Sequence, residues 1–247
     1  MSTASQSIGG AAGLPEARLI RVYVWEWPVR ITHWVIFLSI VVLSFTGYYL
    51  YDPFLISRGN GAFLMGRMRF IHEVAGFALI AAFLVRVYWF FRGNRWANWR
   101  QFLPFGGGQW RGLVQQLKYY LFLRREPASV LGHNPLAGTT YSIVYLLMFS
   151  EILTGLALYN HILHSKVLGF FVDWLPSLIS IRYLREFHFL VLFAFWTFAI
   201  HHIYSAVLIA IEERSGLVGS MFSGYKFFPE SRVKQDAQHH PQKRESR

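Results

Sequence analysis

The chain has 247 residues, 54% of them hydrophobic and 15% charged, with a formal charge of +11 and no cysteine. The missing thiols exclude disulfides, thiolate-held iron–sulfur clusters and covalently attached c-type haem. The apolar residues gather into runs of about 20, the length that crosses a bilayer core of about 30 Å, so the chain reads as an integral membrane protein.

Residues 1–29 form an N-terminal segment without the apolar core and cleavage site of a signal peptide, which makes the first span a retained anchor. Spans are expected at 31–51, 70–91, 139–159 and 187–210. Between the second and third lies a long connection, 92–138. Within it WRGLVQQLKYYLFLRR puts Trp110, Leu113, Val114, Leu117, Tyr120 and Leu121 on one helical stripe, with basic residues on or near the other faces. That pattern suits a helix lying in the headgroup region. A fifth apolar stretch, 162–181, is broken by Lys166, Asp173 and Pro176 and reads as an interfacial or re-entrant connector. The tail, 226–247, is rich in Gln, Lys, Arg and His and reads as disordered. The predicted fold is an all-α integral membrane protein. It is a four-transmembrane-helix, up-down-up-down bundle over 30–225 with added interfacial helices.

Charge sets the orientation. With four spans, the N-terminal segment carries three Lys or Arg, the 92–138 connection seven and the C-terminal segment seven, against three in each connection on the other side. Seventeen against six, with Arg86 inside a span, places both termini in the cytoplasm by the positive-inside rule. The basic excess is thus a topology signal and implies no nucleic acid.

One short pattern recurs at span starts. Arg-x-x-His appears as RITH (Arg30, His33), RFIH (Arg69, His72) and REFH (Arg185, His188). Residues three apart share a helix face, so each Arg lies nearer the water over the surface its histidine faces. A b-type haem needs that arrangement, with imidazole on the iron and a cation near the carboxylate propionates.

Spacing selects among the histidines. Fourteen residues rotate about 1400°, only about 40° short of four turns, and rise about 21 Å. His188 and His202 differ by 14 and share a face, whereas His201 points about 140° away from His188. Topology puts His33 and His202 on the cytoplasmic side and His72 and His188 outside, which predicts the pairs His33–His202 and His72–His188. Each pair would hold a six-coordinate haem, with no open position for oxygen chemistry and therefore suited to electron transfer.

Other positions fit the same frame. Gly47, 14 after His33, would make room where the first span passes the outer haem, and Arg86, 14 after His72, lies level with an inner propionate. His133, in GHNPLAGTTY, sits on the cytoplasmic side before the third span, placed to hydrogen-bond a quinone. His161 and His164 form H-x-x-H but lack a third metal ligand, which favours an interfacial role.

Together VYVWEWPVRITHWVIFLSIVVLSFTGYY, RFIHEVAGF, GHNPLAGTTY and REFHFLVLFAFWTFAIHHIY resemble the b-type cytochrome subunit of membrane-bound nickel–iron hydrogenases, over about residues 21–225. The paired histidines of the fourth span are shared with di-haem cytochromes of formate dehydrogenases. The resemblance implies two haem b groups held by His33, His72, His188 and His202. It also implies the bacterial cytoplasmic (inner) membrane and a partner hydrogenase with small iron–sulfur and large nickel–iron subunits on the outer face. Electrons would pass from that partner through the two haems to membrane quinone. With no cysteine to hold nickel or a cluster, this chain would not activate hydrogen itself. A formate dehydrogenase cytochrome is the neighbouring reading. An ion or proton transporter using its intramembrane His and Arg is one of another class.

Overall fold

The computed structural model describes residues 19–55, 63–99, 107–121, 123, 135–213, 216–230 and 234. Among the described residues, four helices are long and apolar enough to cross a membrane. They are α1 (Trp27–Tyr51), α2 (Leu64–Arg92), α4 (Pro135–Leu163) and α7 (Ile181–Glu213). Their shortest, 25 residues, runs about 37 Å, so every one exceeds a hydrocarbon core of about 30 Å. The helices therefore extend beyond the apolar runs visible in the sequence. Hydrophobicity marks where lipid begins, whereas backbone hydrogen bonding continues into the polar ends.

Helix α1 packs on α2 and α7, and α4 packs on α7 and α2, closing a four-helix ring. One core cluster joins Leu79 of α2, Met148 of α4 and Val191 and Phe195 of α7. The outer faces carry large apolar residues such as Phe77, Leu146, Leu190 and Ile200, all exposed. On α1 the buried set is instead largely polar, with Arg30, Thr32, Ser39, Ser44 and Thr46. Hydroxyls inside a span return their protons to the helix itself. Thr32 donates to Pro28 O, Ser44 to Ile40 O and Thr154 to Ser150 O.

The stretch 162–181 holds two short helices, α5 (Lys166–Val172) and α6 (Trp174–Leu178), neither long enough to span. Asn160 ties this connector to α4. Its Nδ2 donates to Asp173 Oδ1 at 2.9 Å and its Oδ1 accepts from Ser165 N at 3.0 Å. Within the 92–138 connection, α3 (Gly107–Tyr120) is the helix expected there, and Trp110, Val114 and Leu121 on the apolar stripe are exposed.

Against the all-α expectation, β1 (Leu19–Tyr23) and β2 (Tyr225–Pro229) form a two-stranded antiparallel ribbon, registered Leu19 to Pro229 through Tyr23 to Tyr225. It extends into both segments assigned to the chain ends. Each strand is only five residues long, and its partner lies about 200 residues away in sequence, so neither announces the pairing locally. Between α7 and β2, α8 (Leu217–Ser223) is capped by Gly224 at φ +87°. The Gly224 carbonyl accepts from Val24 N at 2.8 Å and Trp25 N at 3.1 Å. The Trp25 indole in turn donates to Ser220 Oγ at 3.1 Å. Glu26 anchors the same end of α2, its Oε2 accepting from Trp89 Nε1 at 2.8 Å and Asn94 N at 2.9 Å.

Gly224→Ala tests this joint. A Cβ there would lie 2.6 Å from Tyr23 Cε2 and 2.8 Å from Trp25 O, on a left-handed backbone that alone costs about 1–2 kcal/mol. The expected result is a lower thermal unfolding midpoint in detergent, followed by tryptophan fluorescence. Gly219→Ala, whose Cβ meets nothing within 4 Å, is expected to leave the midpoint unchanged.

Candidate functional site

Two histidine pairs face each other across the ring of helices. His33 of α1 and His202 of α7 have ring centroids 6.4 Å apart, near the end that carries the ribbon. His72 of α2 and His188 of α7 are also 6.4 Å apart, toward the connector end. Two metal–nitrogen bonds of about 2.0 Å plus two ring radii of about 1.15 Å give about 6.3 Å between centroids. Both gaps therefore fit one metal ion bound between facing imidazoles.

The ring tautomer at the connector end follows from neighbouring hydroxyls. Thr46 Oγ1 donates its proton to Val42 O at 2.7 Å, so its lone pair accepts Nδ1–H of His72 at 2.9 Å. That leaves the lone pair of His72 on Nε2. Thr154 repeats the arrangement, donating to Ser150 O and standing 2.9 Å from His188 Nδ1. The following residue is glycine in both helices. A Cβ on Gly47 would lie 3.1 Å from His72 Cε1, and one on Gly155 would lie 3.1 Å from His188 Cε1. Gly47 thus makes room for the imidazole itself. Glu151, one turn before Thr154, places Oε2 3.0 Å from His188 Nδ1.

The ribbon-end pair has other surroundings. Phe198 stacks on the His202 ring at 5.3 Å and Tyr141 meets it edge-on at 6.1 Å. Trp34 donates to Met221 O at 3.2 Å and packs on Phe222 at 4.7 Å, so α8 closes over the start of α1. Buried His33 Nδ1 has no hydrogen-bond partner among the described residues.

The arginines divide. Arg30 is 6% exposed, donates from Nη1 to Phe222 O and lies over the Trp27 ring, yet its buried Nε has no partner among the described residues. A buried cation with an open donor fits an anionic group such as a propionate. Arg86, also buried, donates to Ala97 O at 3.4 Å and lies 4.3 Å over the Phe90 ring. Arg69 and Arg185 are exposed at the connector-end helix starts.

His201 is exposed, with its Nδ1 3.5 Å from Ser205 Oγ. His161 and His164 have rings 6.4 Å apart, but among the described residues no three His, Cys, Asp or Glu stand together for a metal. His133 lies outside the described residues. Thr46, Thr154, Gly155 and Glu151 escaped the sequence reading. The available signal was a repeated Thr-Gly, in SFTGYY and EILTGLA, late in the first and third spans.

Four membrane-length helices holding two facing histidine pairs define a multi-pass membrane protein of the cytochrome b kind. The profile of the prokaryotic cytochrome b561 family matches residues 24–224, and the chain belongs to that family. Its cofactor class is accordingly haem b. A Rhodobacter capsulatus protein named "Probable Ni/Fe-hydrogenase B-type cytochrome subunit" is 37% identical over 224 residues, covering 87% of this chain and 85% of its own. A Bradyrhizobium diazoefficiens protein of the same name is 37% identical over 217 residues, covering 84% and 86%. The Escherichia coli K12 "Probable Ni/Fe-hydrogenase 1 B-type cytochrome subunit" is 32% identical over 215 residues, covering 83% and 90%. The resemblance read from the sequence is borne out.

The glycine cradles are testable by adding bulk. Gly47→Val or Gly155→Val is expected to lower haem b per chain, measured from the dithionite-reduced α-band of purified protein. Gly76→Val, where a Cβ meets nothing within 4 Å, is expected to leave it unchanged.

Proposed function

We propose that this chain is the membrane anchor and electron conduit of a nickel–iron hydrogenase. It accepts electrons on its outer face from the partner's small iron–sulfur subunit, whose large subunit oxidises hydrogen, and delivers them to membrane quinone. The observation that carries this is the pair of facing imidazole gaps, one toward each end of the bundle, in a family of b-type cytochromes. Two sites, one toward each side of the membrane, are what conduction across it requires. Bound haem b supplies a one-electron ferric/ferrous couple at each site.

The residues divide the work as follows. His72 and His188 hold the outer group, their rings turned by Thr46 and Thr154 so that Nε2 is the ligating atom. His33 and His202 hold the inner one. Held by an imidazole from each side, a bound haem at either site would supply electron transfer rather than dioxygen chemistry. Arg30, with its open Nε donor, would serve a propionate of the inner group, and Arg86 would serve the same end of the bundle. Arg69 and Arg185 stand on the outer side for the corresponding carboxylates. His133 is assigned to the quinone, on the cytoplasmic side. The surrounding apolar helices exclude water. The domain over 30–225 carries this function in the bacterial inner membrane, with both termini and the ribbon in the cytoplasm and α3 at the inner headgroup surface. The relatives' names favour a hydrogenase over a formate dehydrogenase as partner.

Purified protein from haem-replete cells is expected to be red, with a reduced b-type spectrum and about two haems per chain by pyridine haemochromogen. His202→Ala is expected to remove one haem, and His201→Ala to leave both. A colourless wild-type preparation would sink the reading. Loss of one haem in His201→Ala would overturn the inner-ligand assignment.

A further inference from the structure

The two helix pairs that present His72 and His188 share a Thr-Gly step against the ring and differ at the position one turn before it. Both offer Thr-Gly to the ring, but three residues before Thr46 stands Leu43, whereas three residues before Thr154 stands Glu151. Glu151 Oε2 lies 3.0 Å from His188 Nδ1, and the Glu151 side chain is only 14% exposed. Its other oxygen, Oε1, is buried with no hydrogen-bond partner among the described residues. A carboxylate left half-satisfied inside a span is expensive, and Thr154 already accepts from the same Nδ1. Orientation of the ring therefore does not require Glu151. Among the described residues, His188 is the one histidine of the four with a carboxylate against its ring.

A carboxylate that accepts a ring N–H draws the proton toward itself and makes the opposite nitrogen a stronger electron donor. It also brings negative charge close to the metal in a medium that screens poorly. Both effects favour ferric over ferrous iron, and a hydroxyl acceptor supplies neither charge. We propose that Glu151 is a positioning residue that, through His188, sets the outer haem at the lower of the two midpoint potentials. This rests on the haem reading under Proposed function. One electron arrives from the iron–sulfur donor and leaves for the inner haem; no bond breaks and the proton stays on Nδ1. The potential step makes transfer from the outer to the inner site downhill.

The test is potentiometric titration of both haems in the purified full-length chain, wild type against Glu151→Gln and Glu151→Leu. Gln keeps the shape and an acceptor oxygen without the charge, and Leu reproduces the Leu43 environment of His72. The expected result is unchanged haem content, one midpoint shifted upward in both variants and the other unmoved. The low-spin ferric EPR signal of the shifted haem should move with it, which a merely structural contact would not cause. In a His202→Ala background the haem that remains should show the same upward shift. Unmoved midpoints overturn the inference and leave the proposed function standing, as does loss of one haem in both variants. A wild-type chain without haem would overturn the proposed function and this inference together.

Discussion

A polar side chain surrounded by hydrocarbon has no water to turn to, and its partners must come from the protein. That constraint orders this bundle. The lipid-facing sides of the spans carry large apolar side chains such as Phe77, Leu146 and Ile200, while the ring interior collects hydroxyls, arginines and imidazoles. Threonines that would otherwise be costly give their protons back to the preceding turn. Their oxygens are then free to accept from a histidine on another helix. Satisfying the backbone and preparing the imidazole are one arrangement.

That arrangement explains why so much of the site is built from residues with little chemistry of their own. Histidine can bind a metal through either nitrogen, and only a partner on one decides for the other. Thr46 and Thr154 make that decision at the connector end, and Gly47 and Gly155 bring their helices close enough for it to be made. The ribbon end solves a different problem. There the helix starts are sealed by Trp34 on Phe222, by the Arg30 bond to the Phe222 carbonyl and by the strand pair beyond. A charged guanidinium is thereby kept out of water with one donor still open.

The two ends also differ in symmetry. The halves that carry His72 and His188 repeat the Thr-Gly device on unlike helix pairs, so Leu43 and Glu151 become a comparison built into the molecule. In the proposed conduit, a difference between the two sites would make the step between them downhill. A single carboxylate against one ring is such a difference.

The sequence by itself determined the approximate spans, the four membrane-length helices and that His202, unlike His201, shares a helix face with His188. Each of these follows from length, hydropathy or the angle accumulated over 14 residues, all properties of one helix at a time. It also brought out Arg30 and Arg86, because a charge within or beside an apolar run is conspicuous wherever the chain goes. Tertiary structure alone decided which hydroxyl meets which ring, how closely Gly155 approaches His188, and that residues 19–23 pair with 225–229. Those are contacts between segments tens to hundreds of residues apart. Thr, Gly and Glu in a helix look alike whether they face lipid, a neighbour or an imidazole, until packing chooses the face.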